Sequence, residues 1–136
     1  MLSSSFVYCQ DFDKIKNADT VYIYFKNIHY KQIFLPQKNG FGDYYFYFDK
    51  FYEFKQINFY HTPLTPEERK EKKSFLKKNK DLIIDYDFLT NMYNYEKAKE
   101  LLLNKKKIYL IDKKDFGWFS IKLIEVKVSD FKLETE

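Results

Sequence analysis

Four runs of aromatic and β-branched residues occupy most of the first sixty positions, and they constrain the fold more than any other feature of the chain. The runs cover residues 21–25, 30–35, 43–48 and 51–60. Residues of these types favour β-strands, and the links between the runs are short and contain turn-forming pairs such as Asn39-Gly40. The pattern predicts an antiparallel meander of four strands.

A helix is predicted directly after the meander, over residues 66–80. Thr65 is suited to cap it, Pro66 to open its first turn, and Glu68 to complete a capping box. On such a helix the basic residues fall on one stripe, which comprises Arg69, Lys70, Lys73, Lys77 and Lys80.

The second half of the chain predicts another helix and two strands. Asn94 is placed to cap a helix that ends near residue 103, and Asp87 to cap a single helical turn before it. Strands are predicted over residues 107–112 and 119–128.

The last predicted strand contains a change in its apolar alternation. The phase shifts by one residue between Leu123 and Ile124, which predicts a β-bulge or a bend there. Taken together, the elements predict an α+β fold: a mainly antiparallel sheet, made of the N-terminal meander and two C-terminal strands, with two helical segments on one face.

The length of 136 residues fits one domain, placed at residues 11–130 and followed by a tail at 131–136. Residues 1–10 carry no charge and resemble the end of a bacterial signal peptide whose start would lie upstream of Met1. That interpretation predicts a periplasmic or secreted protein, whereas a frayed N-terminus would fit a cytoplasmic one. No apolar run approaches the roughly 20 residues of a membrane-spanning helix.

Scarce glycine, cysteine and histidine exclude several chemistries. The three glycines fit neither a phosphate-binding loop nor a dinucleotide fingerprint, and the single Cys excludes an internal disulfide and a Cys-rich zinc site. His29 and His61 belong to no spaced metal-binding motif. The sequence therefore predicts no catalytic residue, metal ligand or cofactor. An enzyme whose acid and base residues are dispersed along the chain stays open as an alternative.

The basic residues are almost all lysines, and their excess is local. Of the 24 basic residues only Arg69 is an arginine, and such a composition is typical of an AT-rich bacterial or phage genome. Lysine lacks the bidentate fork that reads guanine edges, so the sequence argues against nucleic acid as the partner. A polyanion-binding module that uses the predicted helix 66–80 is a second alternative.

The leading hypothesis is a small, non-enzymatic binding protein that engages a partner protein, as an immunity protein or a phage-encoded inhibitor does. Tyrosine faces on two predicted strands would supply contact area if they coincide, although the rim of the core is the other place for these rings. Basic side chains would steer association, and a Trp beside a Gly would anchor it or cover the core. The candidate partner-binding residues are Tyr22, Tyr24, Tyr45, Tyr47, Arg69, Lys73, Lys77 and Trp118.

Overall fold

The computed structural model describes residues 12–26, 31–38, 41–48, 55–63, 67–92, 94–113 and 116–129, and most of them lie in strands or helices. The strands are β1 (Thr20–Phe25), β2 (Gln32–Pro36), β3 (Gly42–Tyr47), β4 (Gln56–His61), β5 (Glu68–Lys72), β6 (Ile83–Asp85), β7 (Lys107–Asp112) and β8 (Ser120–Val128). The helices are α1 (Phe12–Asn17), α2 (Ser74–Lys78), α3 (Tyr86–Met92) and α4 (Tyr95–Leu103), with a 3-10 turn at Lys80–Leu82.

The strands form one sheet in the spatial order β2-β3-β4-β8-β7-β1-β6, and β5 pairs with β8 outside this order. β1 runs parallel to its two neighbours, β6 and β7, and the other described pairs are antiparallel. The predicted α+β class with a mainly antiparallel sheet is confirmed.

The N-terminal meander has three strands rather than the four that the sequence predicted. β2, β3 and β4 pair in chain order, with Tyr45 opposite both Ile33 and Asn58. β1 lies on the far side of the sheet, with β4, β8 and β7 between it and β3. Its partners come from the second half of the chain, because a parallel pair requires a long crossover connection rather than a tight turn.

Helices α1, α3 and α4 cover one face of the sheet, and this side holds the main core. Phe25 of β1 and Phe46 of β3 stack there with ring centroids 5.8 Å apart, and Phe59 meets Phe46 edge-on at 5.0 Å. The predicted apolar face of α4 is confirmed, since Ala98, Leu101 and Leu102 are buried. These contacts join both ends of the strand order in a single core.

A second apolar cluster, here called the outer cluster, lies on the opposite face of the sheet. Its buried members are Tyr109 and Ile111 of β7 and Ile121 and Leu123 of β8, and α2 packs Phe75 and Leu76 against them. The strands in this part of the sheet are therefore covered on both faces, as is usual for parallel strands.

The helix predicted over residues 66–80 is wrong. Glu68–Lys72 is strand β5, and α2 occupies only Ser74–Lys78. In β5, Arg69 pairs with Leu123 and Glu71 with Ile121. Such a ladder satisfies several backbone groups at once, which outweighs a capping signal of about 1 kcal/mol. The helical basic stripe is therefore not formed, and Thr65 and Pro66 lie outside the described residues.

The β-bulge predicted near Leu123 and Ile124 is also wrong. β7 pairs with β8 in an uninterrupted register that includes both residues. Leu123 points into the outer cluster and Ile124 into the main core, so a regular strand buries both. The change of apolar phase therefore marks a strand whose two faces are covered.

Two helix starts test the predicted caps. The Asn94 side chain accepts a hydrogen bond from the Lys97 backbone N–H at 2.8 Å, as predicted. At α3, however, the Phe88 N–H donates to Asp85 Oδ1 at 2.8 Å, so the cap is Asp85 rather than Asp87. Helix α3 begins at Tyr86, directly after β6, which places the cap two positions before Asp87.

The predicted leader at residues 1–10 and the predicted tail at 131–136 lie outside the described residues. Within the described ranges, none of the helices has the length and apolar character needed to cross a membrane.

Candidate interaction surface

Trp118 and Phe119 form the most exposed apolar feature of the described chain. The two residues are 88% and 81% exposed, and their ring centroids lie 6.5 Å apart. The other exposed large hydrophobic residues in the described part are Leu35 and Leu103, at 50% and 40%. Trp118 and Phe119 are called the aromatic tip below.

The backbone of the aromatic tip is fixed on two sides, although its side chains project. The tip lies in the connection between β7 and β8, where the Gly117 N–H donates to the Ser120 carbonyl at 2.8 Å. The Lys73 N–H, in the turn between β5 and α2, donates to the Phe119 carbonyl at 3.2 Å. The exposed rings are therefore attached to a backbone that hydrogen bonds hold in place.

Next to the tip is a stacked pair of aromatic rings, and a lysine lies over each ring. The rings of Tyr24 and Phe116 stack with centroids 6.0 Å apart and an interplanar angle of 5°. Lys26 Nζ lies 5.7 Å from the Tyr24 centroid, and Lys73 Nζ lies 5.4 Å from that of Phe116. Both distances are within the range of cation–π attraction, so the lysine stems cover these rings.

Four exposed lysines lie at the same end of the sheet as the aromatic tip, because several strands end there. Phe25 pairs with Asp112 at the carboxyl ends of β1 and β7, which makes the next residues along each strand neighbours. Lys72 pairs with Ser120 at the start of β8. The four exposed residues, called the tip lysines below, are Lys26, Lys72, Lys73 and Lys113.

The four predicted tyrosines do not form one continuous surface. Tyr22 stacks on Tyr109 at 5.8 Å and meets Phe75 edge-on at 5.0 Å, so it is half-buried beneath α2. Tyr24 lies behind the tip, as described above. Tyr45 and Tyr47 of β3 stack on each other, with ring centroids 6.2 Å apart. They lie on the same face of the sheet as Tyr22 and Tyr24, but three strands separate β3 from β1.

The phenol of Tyr45 is held in its neutral form. Burial and the adjacent Asp43 carboxylate raise the pKa of Tyr45 above its ordinary value. Burial alone raises the pKa of Tyr24. Neither ring therefore presents an activated phenolate, and both are suited to packing.

The predicted basic residues are dispersed. Arg69 Nε lies 3.7 Å from Glu67 and 4.0 Å from Glu71, and its guanidinium covers the Tyr109 ring at 4.9 Å. Lys73 is a tip lysine, whereas Lys77 is an exposed residue of α2. Of the three, Lys73 alone adjoins the predicted Trp118.

A polar network beside Arg69 ties the start of β5 to β7. Glu67 Oε1 accepts hydrogen bonds from the Tyr109 hydroxyl at 2.8 Å and from Lys107 Nζ at 3.1 Å. These two donors hold the pKa of Glu67 below its ordinary value. Burial and the same hydrogen bond raise the pKa of Tyr109. The network consists of satisfied partners and fits a structural role.

His61 is the buried histidine of the described chain, with 2% of its surface exposed. Its Nδ1 lies 2.6 Å from the Glu125 carbonyl oxygen, and its Nε2 lies 3.1 Å from Glu68 Oε2. Both nitrogens are thus engaged where β8 changes partner from β4 to β5. Within the described ranges, no group of three or more His, Cys, Asp or Glu residues is placed to hold a metal ion.

Sequence reasoning named Trp118 and Lys73 as candidates but not the rest of this surface. Phe119 alternates with Ile121 and was therefore assigned to the last strand, whereas β8 begins only at Ser120. The remaining tip lysines, Lys26 and Lys113 among them, are far apart in the chain. Only the parallel pairing of β1 and β7 brings these two together, and no local signal reports it.

Comparisons with protein-family models, with curated protein sequences and with solved structures found no significant match to this chain. A function proposed for this surface therefore depends on its own residues.

Proposed function

We propose that the chain is a small, non-enzymatic binding protein whose partner is engaged by the aromatic tip. One observation carries the proposal: Trp118 and Phe119 are neighbouring residues that are 88% and 81% exposed. Large aromatic side chains that fill a partner's pocket or apolar layer typically supply most of the binding energy at an interface.

The way the tip is held also suits a binding role. Hydrogen bonds from Lys73 and to Ser120 fix its backbone before any partner arrives. A preorganised contact loses less conformational entropy on association than a flexible one. The tip lysines would add long-range attraction toward a negatively charged partner and speed the encounter.

A binding role fits the titratable side chains better than catalysis does. His61 is buried between a carbonyl and a carboxylate, and Glu67 accepts from two donors on β7. These contacts hold strands together, so the polar atoms of both side chains are already engaged in structural interactions. A partner protein is the class that the sequence predicts, and it stays a prediction; export from the cell also stays a proposal.

The proposal is tested by placing a photo-crosslinking residue at position 118 and, for comparison, at position 103, where Leu103 is also exposed. Illumination in source cells should give a specific adduct from position 118 only. The adduct at 118 should disappear when Phe119 is also replaced by Ala. Equal yields from the two positions would contradict the proposal.

A further inference from the structure

We propose that the surface engaged by the aromatic tip is an anionic lipid bilayer. In this arrangement Trp118 and Phe119 enter the interfacial layer while the tip lysines lie against the headgroups. The inference rests on the proposed function, because it names the partner of the same surface. It requires no membrane-spanning segment, only peripheral attachment.

The two tip residues have the chemistry of an interfacial anchor. Trp is enriched at membrane–water interfaces because its ring is large and apolar while its indole N–H can still reach polar groups. Phe119 is purely apolar and lies 6.5 Å from Trp118, so both rings can enter together. Being 88% and 81% exposed, they need no rearrangement of the fold to do so.

The charge at this end of the sheet matches an anionic surface. All four tip lysines are exposed: Lys26 and Lys113 directly follow β1 and β7, Lys72 ends β5, and Lys73 lies in the turn after it. Several described acids lie at or near this end. Asp112 is 2% exposed, and Asp85 caps α3. Glu71, next to Lys72 in β5, lies 4.0 Å from Arg69 Nε, and Asp87 is exposed on α3. Lys114 and Asp115 lie outside the described residues, and their formal charges cancel.

The type of basic residue also favours headgroups over a shaped binding pocket. Lysine is a point charge without the fixed fork of arginine, so it suits a diffuse layer of negative charge. Each lysine close to an anionic bilayer strengthens binding roughly fivefold. The only arginine of the chain, Arg69, lies away from the tip in ion pairs with Glu67 and Glu71.

The shape of the surface argues for a bilayer rather than a protein interface. A stable protein interface covers about 800 Å² on each partner and needs a broad apolar centre. Here the apolar contact is confined to two projecting side chains, because Lys26 and Lys73 cover the Tyr24–Phe116 pair behind them. A narrow apolar projection beside exposed lysines can enter a fluid layer without a complementary pocket.

The single Trp of the chain makes the proposal directly measurable. Purified protein is mixed with vesicles of phosphatidylcholine alone, or of phosphatidylcholine with about one third phosphatidylglycerol. Trp118 emission should move to shorter wavelength with the anionic vesicles, because the ring leaves water. Co-sedimentation should show binding to these vesicles, with weaker binding at high salt and little to the neutral vesicles.

Two variant pairs separate the contributions of the rings and the charges. W118A/F119A should lower the partition coefficient more than tenfold, whereas L35A/L103A, which removes exposed apolar groups elsewhere, should leave it nearly unchanged. K72E/K113E should lower it roughly twentyfold or more. The control K16E/K78E makes the same change in net charge near the opposite ends of the parallel strands. It should lower the partition coefficient only about threefold.

The outcomes distinguish this inference from the proposed function. Anionic-vesicle binding that depends on both variant pairs supports it. Absence of vesicle binding, or binding that W118A/F119A leaves intact, overturns it. If position 118 crosslinks to a protein while vesicles do not bind, the proposed function stands and the bilayer is wrong. A shift of Trp118 emission with single-stranded oligonucleotides but not with vesicles would likewise overturn the bilayer in favour of nucleic acid.

Discussion

The two halves of the sheet differ in how many of their faces are buried. In the half built from β6, β1, β7 and the first part of β8, the main core covers one face and the outer cluster covers the other. In the meander β2–β3–β4, one face enters the main core, and the other carries partly exposed residues such as Tyr45 and Tyr47.

This difference appears in the burial patterns of β3 and β7. β3 alternates buried and half-buried residues without exception, whereas in β7 every residue from Ile108 to Asp112 is buried. A strand covered on both faces has no need to alternate apolar and polar residues. Alternation in the sequence is therefore a better signal for a strand covered on one face than for one covered on both.

The largest expected effect concerns the residue that joins the two halves. Phe46→Ala should lower the free energy of unfolding by about 3–5 kcal/mol, because the ring packs against Phe25 of β1 and Phe59 of β4. Tyr45→Ala, one position along on the outer face, should cost less than half as much. Urea denaturation measures both, and equal losses would mean that the outer face of the meander is as well packed as the inner one.

In β8, which is covered on both faces, substitutions on the two faces should cost similar amounts of stability. Leu123→Ala and Ile124→Ala should each cost about 2–4 kcal/mol, although the two side chains point to opposite faces. The same denaturation experiment applies. If either substitution costs less than about 1 kcal/mol, one of the two faces is not a core and the contrast with β3 is lost.

A smaller effect is expected where β6 of the inner half leads into α3. Asp85→Ala should cost about 1 kcal/mol, because it removes the acceptor of the Phe88 N–H. Asp87→Ala, at the position that the sequence suggested, is the matched control and should cost no more than about 0.5 kcal/mol. Thermal unfolding of the two variants would distinguish the caps. A larger loss of stability for Asp87→Ala than for Asp85→Ala would show that Asp87 is the cap.

The smallest effect concerns the ion pairs beside the outer cluster. Since donors on β7 lower the pKa of Glu67 from 4.5, its carboxylate stabilises the fold at pH above about 4.5, and this contribution is lost as the pH falls through the lowered pKa. Glu67→Gln should therefore be less stable than the parent chain near neutral pH, with the difference vanishing in acid. Tyr109→Phe, which removes one donor, should reduce the pH-dependent part; an identical pH profile for all three chains would contradict this account.

Local signals were sufficient for about half of the fold. The β2–β3–β4 hairpins, the Asn94 cap with its helix and strand β7 each depend on neighbouring residues, and all were predicted. β5 was predicted as a helix because its capping box is local, whereas the pairing with β8 that overrides it involves residues roughly fifty positions away.

The interaction surface divides in the same way. Trp118 was a candidate because a Trp beside a Gly is noticeable in sequence, and the structure leaves it 88% exposed. The grouping of the tip lysines depends on strand order and parallel register, which no window of sequence contains. The tyrosine surface failed for the same reason, since β1 and β3 are not neighbours.

The position of β1 also determines when the protein can fold. β1 precedes its neighbours β6 and β7 by roughly sixty and roughly ninety residues. Until β7 has left the ribosome, Val21, Ile23 and Phe25 lack the strand against which they are buried. Stable folding therefore cannot proceed strand by strand as translation advances, and the core closes only after β7 has been synthesised.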